Sequence, residues 1–290
     1  MKTLANSLAA QRTGFVILPP LGDAVPDTFK DVEVDDYRYG ELLADMQRFR
    51  GATYLFDGAI LPTQLSGDGR HILPIDKESW HVLTLKQEGN VCACLRFHEE
   101  VPAKRYHDLG IRSSAMAHCD IWGETLRKAV EIERFNAQEE VLRFGEVGGW
   151  AISTDRRNTA ESLRIILATY GLLMLLGGSI GLATATCKHG SASILRRLGL
   201  SSLTVEGVQL PSYYDPDYRS EMEVLRFDSR TPSPKYVNWI TELSSHLANA
   251  PVICAKRQVG YPSKPGQGTV KHWWPIPPVS DFNPAPKHVS

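Results

Sequence analysis

The residues from Glu146 to Ile166, EVGGWAISTDRRNTAESLRII, combine a carboxylate, a basic turn and the start of an apolar helix. Backbone N–H groups at a helix N-terminus, together with the helix dipole, attract phosphate groups. Arg156 and Arg157 add positive charge to the turn, although the turn contains no glycine. The stretch is therefore a candidate phosphate-binding junction between a strand and a helix. The alternative is an ordinary capped helix preceded by two solvated arginines.

Glu146 stands at the start of a strand that is otherwise apolar. A partly buried carboxylate has a raised pKa and can accept a proton, either directly or through a water molecule. We therefore expect Glu146 to act as a general base. The alternative is a carboxylate at the sheet edge that is paired with Arg96 or Arg143.

The cysteines and histidines do not form a recognisable metal or nucleophile motif. The five cysteines are odd in number and include no CxxC pair, and the histidines form no HxxxH or HxH set. His118, Cys119 and Asp120 are consecutive, and consecutive residues do not face each other on a helix. We therefore expect no metal site, and reduced thiols in a cytoplasmic protein. A hydrolase that uses Cys119 is a further hypothesis.

The bulk composition is that of an ordinary globular protein. Hydrophobic residues make up 42% and charged residues 22% of the 290 residues, and the net charge is -1. A dedicated nucleic-acid-binding protein is usually basic, so this balance speaks against that class. Residues 165–186 carry no charge, but Gly177, Gly178 and Ser179 divide them. We therefore expect a buried helix and strand there rather than a membrane span, and the first twenty residues make a poor signal peptide.

Hydrophobic periodicity and turn residues predict a mixed order of helices and strands. The predicted elements are a helix over 39–56, a hairpin around 88–90, charged helices over 116–143, a strand over 146–153, a helix over 159–176, a strand over 180–186, a helix over 191–200, strands within 202–210 and 220–228, and a helix over 236–250. This order predicts an α/β or α+β layered domain with a mixed sheet.

Changes in composition divide the chain into four parts. We expect an N-terminal extension over residues 1–35, a main domain over 36–230 and a C-terminal helix packed on it within 231–256. Residues 257–290 are rich in Pro, Gly, Lys and His and predict an extended tail. The Trp273–Trp274 pair in this tail could bind a partner or fold back over the domain.

The series of elements from Tyr39 to Asp228 resembles the GCN5-related N-acetyltransferase superfamily. The best part is Glu146–Leu200, which reads as strand, basic turn, helix, strand and a short helix ending LRRLGL, similar to the xxLGF ending of that family. The resemblance implies the acyl-CoA N-acyltransferase fold, a mixed and mostly antiparallel sheet flanked by helices. It also implies that this unit binds the pyrophosphate of an acyl thioester donor.

The front half is more similar to acyl-homoserine-lactone synthases and long-chain N-acyl amino acid synthases. Arg50, four residues before Tyr54, resembles their opening helix, and Asp76 and Arg96 match their acidic segment and the arginine that ends their hairpin. These three charged residues are therefore expected to bind the acceptor or to support its site. Those synthases usually have an arginine three residues after the glutamate that matches Glu146. Here Gly149 occupies that position, which favours an acceptor other than the precursor of homoserine lactone.

The resemblance also implies a donor site and an acid. Arg157 to Ser162 fit the frame of the family's loop, with Ala160 and Ser162 in place of glycines, while Glu161 would face an anionic ligand. Tyr213 and Tyr214 are the first candidates for the acid that protonates the leaving thiolate, and Tyr218 is the third. The implied donor-binding residues are Trp150, Ile152, Arg156, Arg157, Asn158, Thr159, Ala160, Glu161 and Ser162.

These features together predict an N-acyltransferase. An acyl group, including long chains, would pass from acyl-CoA or an acyl carrier protein to an amino acid or related small amine by direct attack, without a covalently bound cofactor. Lys188, Arg164, Arg196 and Arg197 could form a landing site for an acidic carrier protein. The leucines of 172–176 could line an acyl tunnel or could simply be core. The alternative function is a catalytically inactive relative with the same fold that binds a ligand or regulates a partner.

Overall fold

A computed structural model describes residues 14–157, 159–188 and 190–256. Within this part the chain forms five α-helices and twelve β-strands, joined by loops and 3-10 turns. In chain order the elements are β1 (Gly14–Leu18), β2 (Asp31–Val34), α1 (Asp36–Phe56), β3 (Ser79–Leu85), β4 (Val91–Glu99), α2 (Gly123–Glu139), β5 (Arg143–Ile152), α3 (Ala160–Leu175), β6 (Ser179–Thr186), α4 (Ser191–Leu198), β7 (Ser201–Ser202), β8 (Thr204–Val205), β9 (Val208–Gln209), β10 (Tyr213–Asp215), β11 (Ser220–Asp228), α5 (Val237–Ala248) and β12 (Pro251–Cys254).

Ten of the strands form one large sheet. Their order is β10-β11-β6-β5-β4-β3-β1-β12-β2, with β7 paired to β11, while β8 and β9 form a separate hairpin. The pairs β5–β6, β1–β12 and β12–β2 are parallel, and the other neighbours are antiparallel. The predicted mixed and mostly antiparallel sheet flanked by helices is therefore confirmed.

The two ends of the described chain belong to this sheet. β1 pairs with β3 over five residues, from Gly14↔Leu85 to Leu18↔His81, so residues 14–34 do not form a separate extension. β12 lies between β1 and β2, and α5 packs on α3. The sheet thus extends beyond the expected limits of residues 36–230 on both sides. Residues 257–290, with Trp273 and Trp274, lie outside the described residues.

Helices cover both faces of the large sheet. On one face, α3, α4 and α5 pack with the apolar side chains of β1, β3 and β4 in a single core cluster. α3 and α5 cross closely at Gly171, where a Cβ would lie only 2.9 Å from the backbone nitrogen of Ser244. On the opposite face, α1 packs near β1, β3 and β4, and α2 packs near β5, β6 and β11.

A wedge opens within the sheet between β5 and β6. These strands pair only from Arg143↔Ser179 to Val147↔Ala183. Beyond this point β5 continues along β4 as far as Ile152, and β6 continues along β11. The divergence coincides with a bulge in β5, because Arg96 lies opposite Gly148 while Cys94 lies opposite Ala151.

The uncharged run of residues 165–186 is divided as predicted. α3 ends at Leu175, Gly177 and Gly178 adopt positive φ angles of 93° and 95°, and β6 starts at Ser179. The helix contributes its leucines to the core, and β6 is mostly buried. Among the described residues, no helix combines the length and the apolar character needed to cross a membrane.

Candidate active site

Glu146 projects from β5 on the face that carries α1 and α2. Its Oε1 accepts a hydrogen bond of 2.9 Å from the backbone N–H of Ile111. Neither alternative partner is paired with it, because Arg143 pairs with Glu99 and Arg96 lies 3.5 Å from Asp76. Burial, with a further contribution from Glu100, raises the pKa of Glu146 to about 6. Such a carboxylate is charged at neutral pH and still basic enough to take a proton.

The segment opposite Glu146 approaches it very closely. A Cβ on Gly110 would lie 2.9 Å from Oε2 of Glu146, which is too close for the present geometry. Glycine at this position therefore lets the 3-10 turn Gly110–Ser113 pack against the carboxylate. This contact could not be predicted from the sequence, since Gly110 and Glu146 are far apart in the chain.

A cleft of about 500 Å³ opens at Glu146. Both acidic and basic side chains line it, so it suits a ligand that carries a polar or charged group. Among the residues that line the cleft, only Glu146 and His118 were noted from the sequence. The polar side chains that matter below are His98, Glu100, Lys104, Arg112, His118 and Glu146.

Arg50 of α1 forms a buried cluster with Asp76 and with Arg96 of β4. Arg50 donates two hydrogen bonds to Asp76, of 2.9 and 2.7 Å, and both side chains are completely buried. Burial would raise the pKa of Asp76, but the hydrogen bonds and charge of Arg50 outweigh it and hold that pKa far below its usual range. Arg96 adds a second guanidinium, so the cluster has two positive charges and one negative charge. The structure thus brings together the three residues that the sequence suggested.

Gly149 occupies the position where the similar synthases usually have an arginine, and the local backbone explains the glycine. Gly149 lies in the bulge of β5 with a φ angle of 66°, a conformation that favours glycine. A Cβ there would lie 3.4 Å from Cβ of Arg96 and 3.5 Å from Nη1 of Arg50. In this backbone, a larger side chain at position 149 would be strained by the positive φ angle, and its Cβ would contact the buried arginines.

In the loop that was expected to bind the donor, two side chains are engaged within the protein. Arg157 donates to both oxygens of Asp57, at 2.6 and 2.7 Å. Thr159 caps α3, because its Oγ1 accepts from the N–H of Glu161 at 3.2 Å. The capped-helix alternative therefore describes Thr159, whereas Arg157 is ion-paired rather than simply solvated. The N–H groups of Ala160 and Ser162 in the first turn of α3 have no acceptor within the helix. Asn158 lies outside the described residues.

Glu161 does not face outward, contrary to the sequence-based expectation. It is completely buried and lies 3.4 Å from Nη1 of Arg164. Arg156 comes no closer than 4.0 Å to it. The buried Glu161 side chain would therefore not contact an anionic ligand at the helix N-terminus directly. On β5, Ile152 packs in the core, and the carbonyl oxygen of Trp150 accepts from the hydroxyl of Tyr54 at 3.3 Å.

The three candidate tyrosines lie in different surroundings. Tyr213 packs against the core cluster beneath α2, and Tyr214 is 57% exposed. Tyr218 lies in the turn between β10 and β11, where partial burial raises its pKa and Arg96 lowers it. Tyr218 also interacts electrostatically with Tyr54, where it adds to the effect of burial in raising the pKa of Tyr54. Tyr218, the third candidate, is therefore the candidate tyrosine whose pKa is affected by Arg96.

The structure also gives the positions of Cys119, of the candidate tunnel leucines and of the four basic residues expected to bind a carrier protein. Cys119 forms no hydrogen bond with a histidine in the described part of the chain, and His118 contacts Arg112 at 3.0 Å instead. The leucines at 172, 173 and 176 are buried in the core, as the alternative to a tunnel predicted. The four basic residues do not form one surface patch, because Arg164 is buried with its guanidinium 3.9 Å from the ring of Phe15 and Arg196 pairs with Glu223.

No protein-family model matches the chain, and no curated protein matches it. Several solved structures do. BjaI, a CoA-dependent acyl-homoserine lactone synthase solved with SAM and isopentyl-CoA, has a TM-score of 0.51 and 12% identity, covering 84% of this chain and 93% of its own. MesI, another CoA-dependent acyl-homoserine lactone synthase, has a TM-score of 0.47 at 12% identity, covering 80% and 95%. FeeM, an N-acyl amino acid synthase from uncultured soil microbes, has a TM-score of 0.43 at 12% identity, covering 81% and 97%.

The similarity to BjaI defines the fold. The chain has the acyl-CoA N-acyltransferase fold, and the predicted resemblance to the acyl-homoserine-lactone synthase branch is confirmed at the level of the fold. The wedge between β5 and β6 begins after Val147, the residue that follows Glu146 of the cleft.

Proposed function

We propose that the protein is an N-acyltransferase that moves an acyl group from an acyl thioester to the amino group of an amino acid or related small amine. The observation that carries this proposal is the position of Glu146. Its carboxylate faces a cleft, has a pKa of about 6 and makes no ion pair within the described residues. Two residues further along, at Gly148, β5 stops pairing with β6 and the wedge begins.

The reaction needs a base, an electrophile and an acid. Glu146 takes a proton from the acceptor amine, whose nitrogen then attacks the thioester carbonyl carbon. The C–S bond breaks as the amide forms, the nitrogen loses its second proton to solvent, and the leaving thiolate takes a proton. Tyr218 is the proposed donor of that proton, because it is the candidate tyrosine whose pKa Arg96 lowers, against the larger effect of burial.

The charge of the buried cluster supports an acceptor with a carboxylate. Two guanidinium groups face one carboxylate, so a net positive charge remains near Glu146, on which Arg96 acts electrostatically. An α-amino acid would place its amine at Glu146 and its carboxylate on the side of Arg96. We therefore propose amino acids as the first acceptors to test.

The direct test incubates the full chain with acetyl-, octanoyl- or palmitoyl-CoA and each common amino acid. Thiol release and mass spectrometry of the acylated product are the readouts. We expect an amide product at a rate that increases as the pH rises through about 6. Glu146→Gln should reduce kcat on the order of a hundredfold. Absence of product with every donor and acceptor would exclude the proposal.

The identity of the donor needs a separate comparison. BjaI is CoA-dependent by its description, and the same fold is consistent with acyl-CoA here. Lys188 and Arg197 are exposed and could still contact an acidic carrier protein. If the donor is a carrier, a Lys188→Glu, Arg197→Glu double variant should raise KM for octanoyl carrier protein and leave KM for octanoyl-CoA unchanged. All five cysteines are free, which is consistent with a cytoplasmic location, and fractionation of producing cells would test it.

A ligand-binding protein without catalysis is the second candidate. The observation that favours it is the pairing of Arg157 with Asp57, which removes one loop arginine from any donor phosphate. Calorimetry would decide between the two functions. Tight binding of acyl-CoA with no turnover, unchanged in Glu146→Gln, would support the binding protein.

A further inference from the structure

We propose that Nε2 of His98 is a second hydrogen-bond acceptor for the amine of the acceptor substrate, which would therefore bind between His98 and Glu146. This inference rests on the proposed function and adds a residue to it. His98 was not among the residues that the sequence suggested. Its position, its hydrogen bonds and its burial each support the role.

The position follows from strand pairing. His98 of β4 and Glu146 of β5 are register partners on adjacent antiparallel strands. Side chains directly opposite each other lie on the same face of a sheet, with Cβ atoms about 4.5–5.5 Å apart. Both residues line the cleft. A small polar group bound in that cleft would therefore lie beside both residues.

The hydrogen bonds of His98 place its proton on Nδ1. Nδ1 lies 3.2 Å from the carbonyl oxygen of Glu78 and 3.2 Å from Oγ of Ser79. The carbonyl can only accept, and Oγ of Ser79 already donates to the carbonyl oxygen of Ile75 at 2.6 Å. Both neighbours therefore accept from Nδ1–H, which leaves Nε2 as an unprotonated acceptor.

Nε2 has no hydrogen-bond partner among the described residues, although His98 is only 2% exposed. The carboxylate of Glu100 lies 3.7 Å away and is itself held by Nζ of Lys104 at 2.9 Å. Burial, Lys104 and Arg96 lower the pKa of His98 to about 4, so the ring is neutral at physiological pH. A buried acceptor without a partner is unfavourable, and an N–H group of a ligand would satisfy it.

Two acceptors of this kind suit a primary amine. One N–H of the bound ammonium donates to Glu146, which removes that proton, and another donates to Nε2 of His98. After the transfer, His98 still holds one N–H of the neutral amine and so fixes the direction of the nitrogen lone pair. His98 does not itself take the proton in this step.

A purely structural role for His98 makes different predictions, because it would act only through Nδ1. His98→Asn retains a donor near the Nδ1 position and lacks an atom at Nε2. His98→Gln instead places an amide group near Nε2. The exposed His246→Asn on α5 is the control for loss of a histidine elsewhere.

The kinetic test uses the best amino acid acceptor with octanoyl-CoA. We expect His98→Asn to reduce kcat/KM for the amino acid on the order of tenfold or more, with KM for octanoyl-CoA changed by less than about twofold. His98→Gln should recover part of the loss, and His246→Asn should equal the wild type. Equal losses in the Asn and Gln variants, or a wild-type rate in His98→Asn, would overturn the inference. Thermal unfolding of each variant identifies any that fails to fold.

A second measurement does not depend on catalysis. Ring 15N NMR of the full chain at about pH 8, assigned with His98→Asn, reports which ring nitrogen is protonated. We expect ethylammonium to shift the Nε2 resonance and tetramethylammonium, which has no N–H, to leave it unchanged. A protonated Nε2, or equal responses to both ions, would exclude the amine site. A positive NMR result without acyl transfer would exclude the proposed function alone, whereas acyl transfer with a normal His98→Asn variant would exclude only this inference.

Discussion

Arg157 donates to both carboxylate oxygens of Asp57, at 2.6 and 2.7 Å, and thereby joins the loop before α3 to the residue that follows α1. The guanidinium also lies 5.9 Å from the ring centre of Phe56. Because both Nη atoms are used, the side chain holds two parts of the protein together. Arg156 is 4.0 Å from Glu161 and has no comparably short ion pair among the described residues. Of the two loop arginines, Arg156 is therefore better placed to contact a donor phosphate.

The first prediction separates these two arginines. Arg156→Gln should weaken binding of CoA about threefold to tenfold, because it removes a charge-assisted contact with phosphate. Arg157→Gln should leave CoA affinity within about twofold and lower the free energy of unfolding by about 1 kcal/mol, since its ion pair is partly buried. Calorimetry with CoA and urea unfolding give the two quantities. A larger loss of CoA affinity in Arg157→Gln than in Arg156→Gln would contradict this division of roles.

The second prediction concerns the contact between Gly110 and Glu146. Gly110→Ala would bring a Cβ within 2.9 Å of Oε2, so either the carboxylate or the 3-10 turn must move. We expect acyl transfer to fall on the order of tenfold or more, because small displacements of catalytic groups are costly. Gly67→Ala is a matched control, since nothing lies within 4 Å of its added Cβ. Equal activities of the two variants would show that the position of Glu146 does not depend on this contact.

The parts of the fold that could be predicted from sequence are those with strong local signals. α3 has a Thr159 cap and ends before two glycines, and the β3–β4 hairpin turns at Gly89. β1 could not be predicted in the same way, because four of its five residues are buried and no alternation marks it. β2 has only four residues, all exposed, and its pairing with β12 joins distant parts of the chain.

The same limit applies to the candidate site. Glu146 could be predicted because one carboxylate at the start of an apolar strand is unusual. His98 could not, because its importance depends on lying opposite Glu146, and a one-residue change of register would turn it to the other face. The alternation in β4 does place Arg96 and His98 on one face, and this is the only local sequence feature that indicates a role for His98. No sequence pattern marks Gly110, because its contact with Glu146 exists only in the folded structure.

The third prediction concerns the buried ion pair. Asp76→Asn would leave Arg50 and Arg96 without their carboxylate in a fully buried position. We expect the free energy of unfolding to fall by about 3–5 kcal/mol, as is typical when one partner of a buried pair is removed. Asp45→Asn breaks an exposed pair with Arg48 and should cost less than about 1 kcal/mol. Urea unfolding of both variants measures the contrast, and similar costs would show that the Asp76 charge is not needed for stability.

The last prediction follows from the raised pKa of Glu146. Burial raises that pKa from an ordinary value of 4.5 to about 6, so the folded state holds a proton over a range where the unfolded state has lost it. The contribution of Glu146 to stability is therefore complete below about pH 4.5 and decreases as the pH rises to about 6. Above that pH the charged carboxylate is a constant cost, on the order of 1–2 kcal/mol, which corresponds to the pKa shift with an allowance for partial exposure.

Glu146→Gln removes this titration and keeps an oxygen that can accept from the N–H of Ile111. The variant should thus match the wild type near pH 4 and be more stable above pH 6, by the same 1–2 kcal/mol at most. Urea unfolding of both proteins across this range measures the difference, in which the titrations of groups that do not interact with Glu146 cancel. Glu124→Gln is a control of opposite sign, because Arg127 lowers the pKa of Glu124 through a hydrogen bond and that variant should lose stability at neutral pH. A stability difference between Glu146→Gln and the wild type that does not change with pH would show that Glu146 has an ordinary pKa, and its role as a base near neutral pH would then lose its physical support.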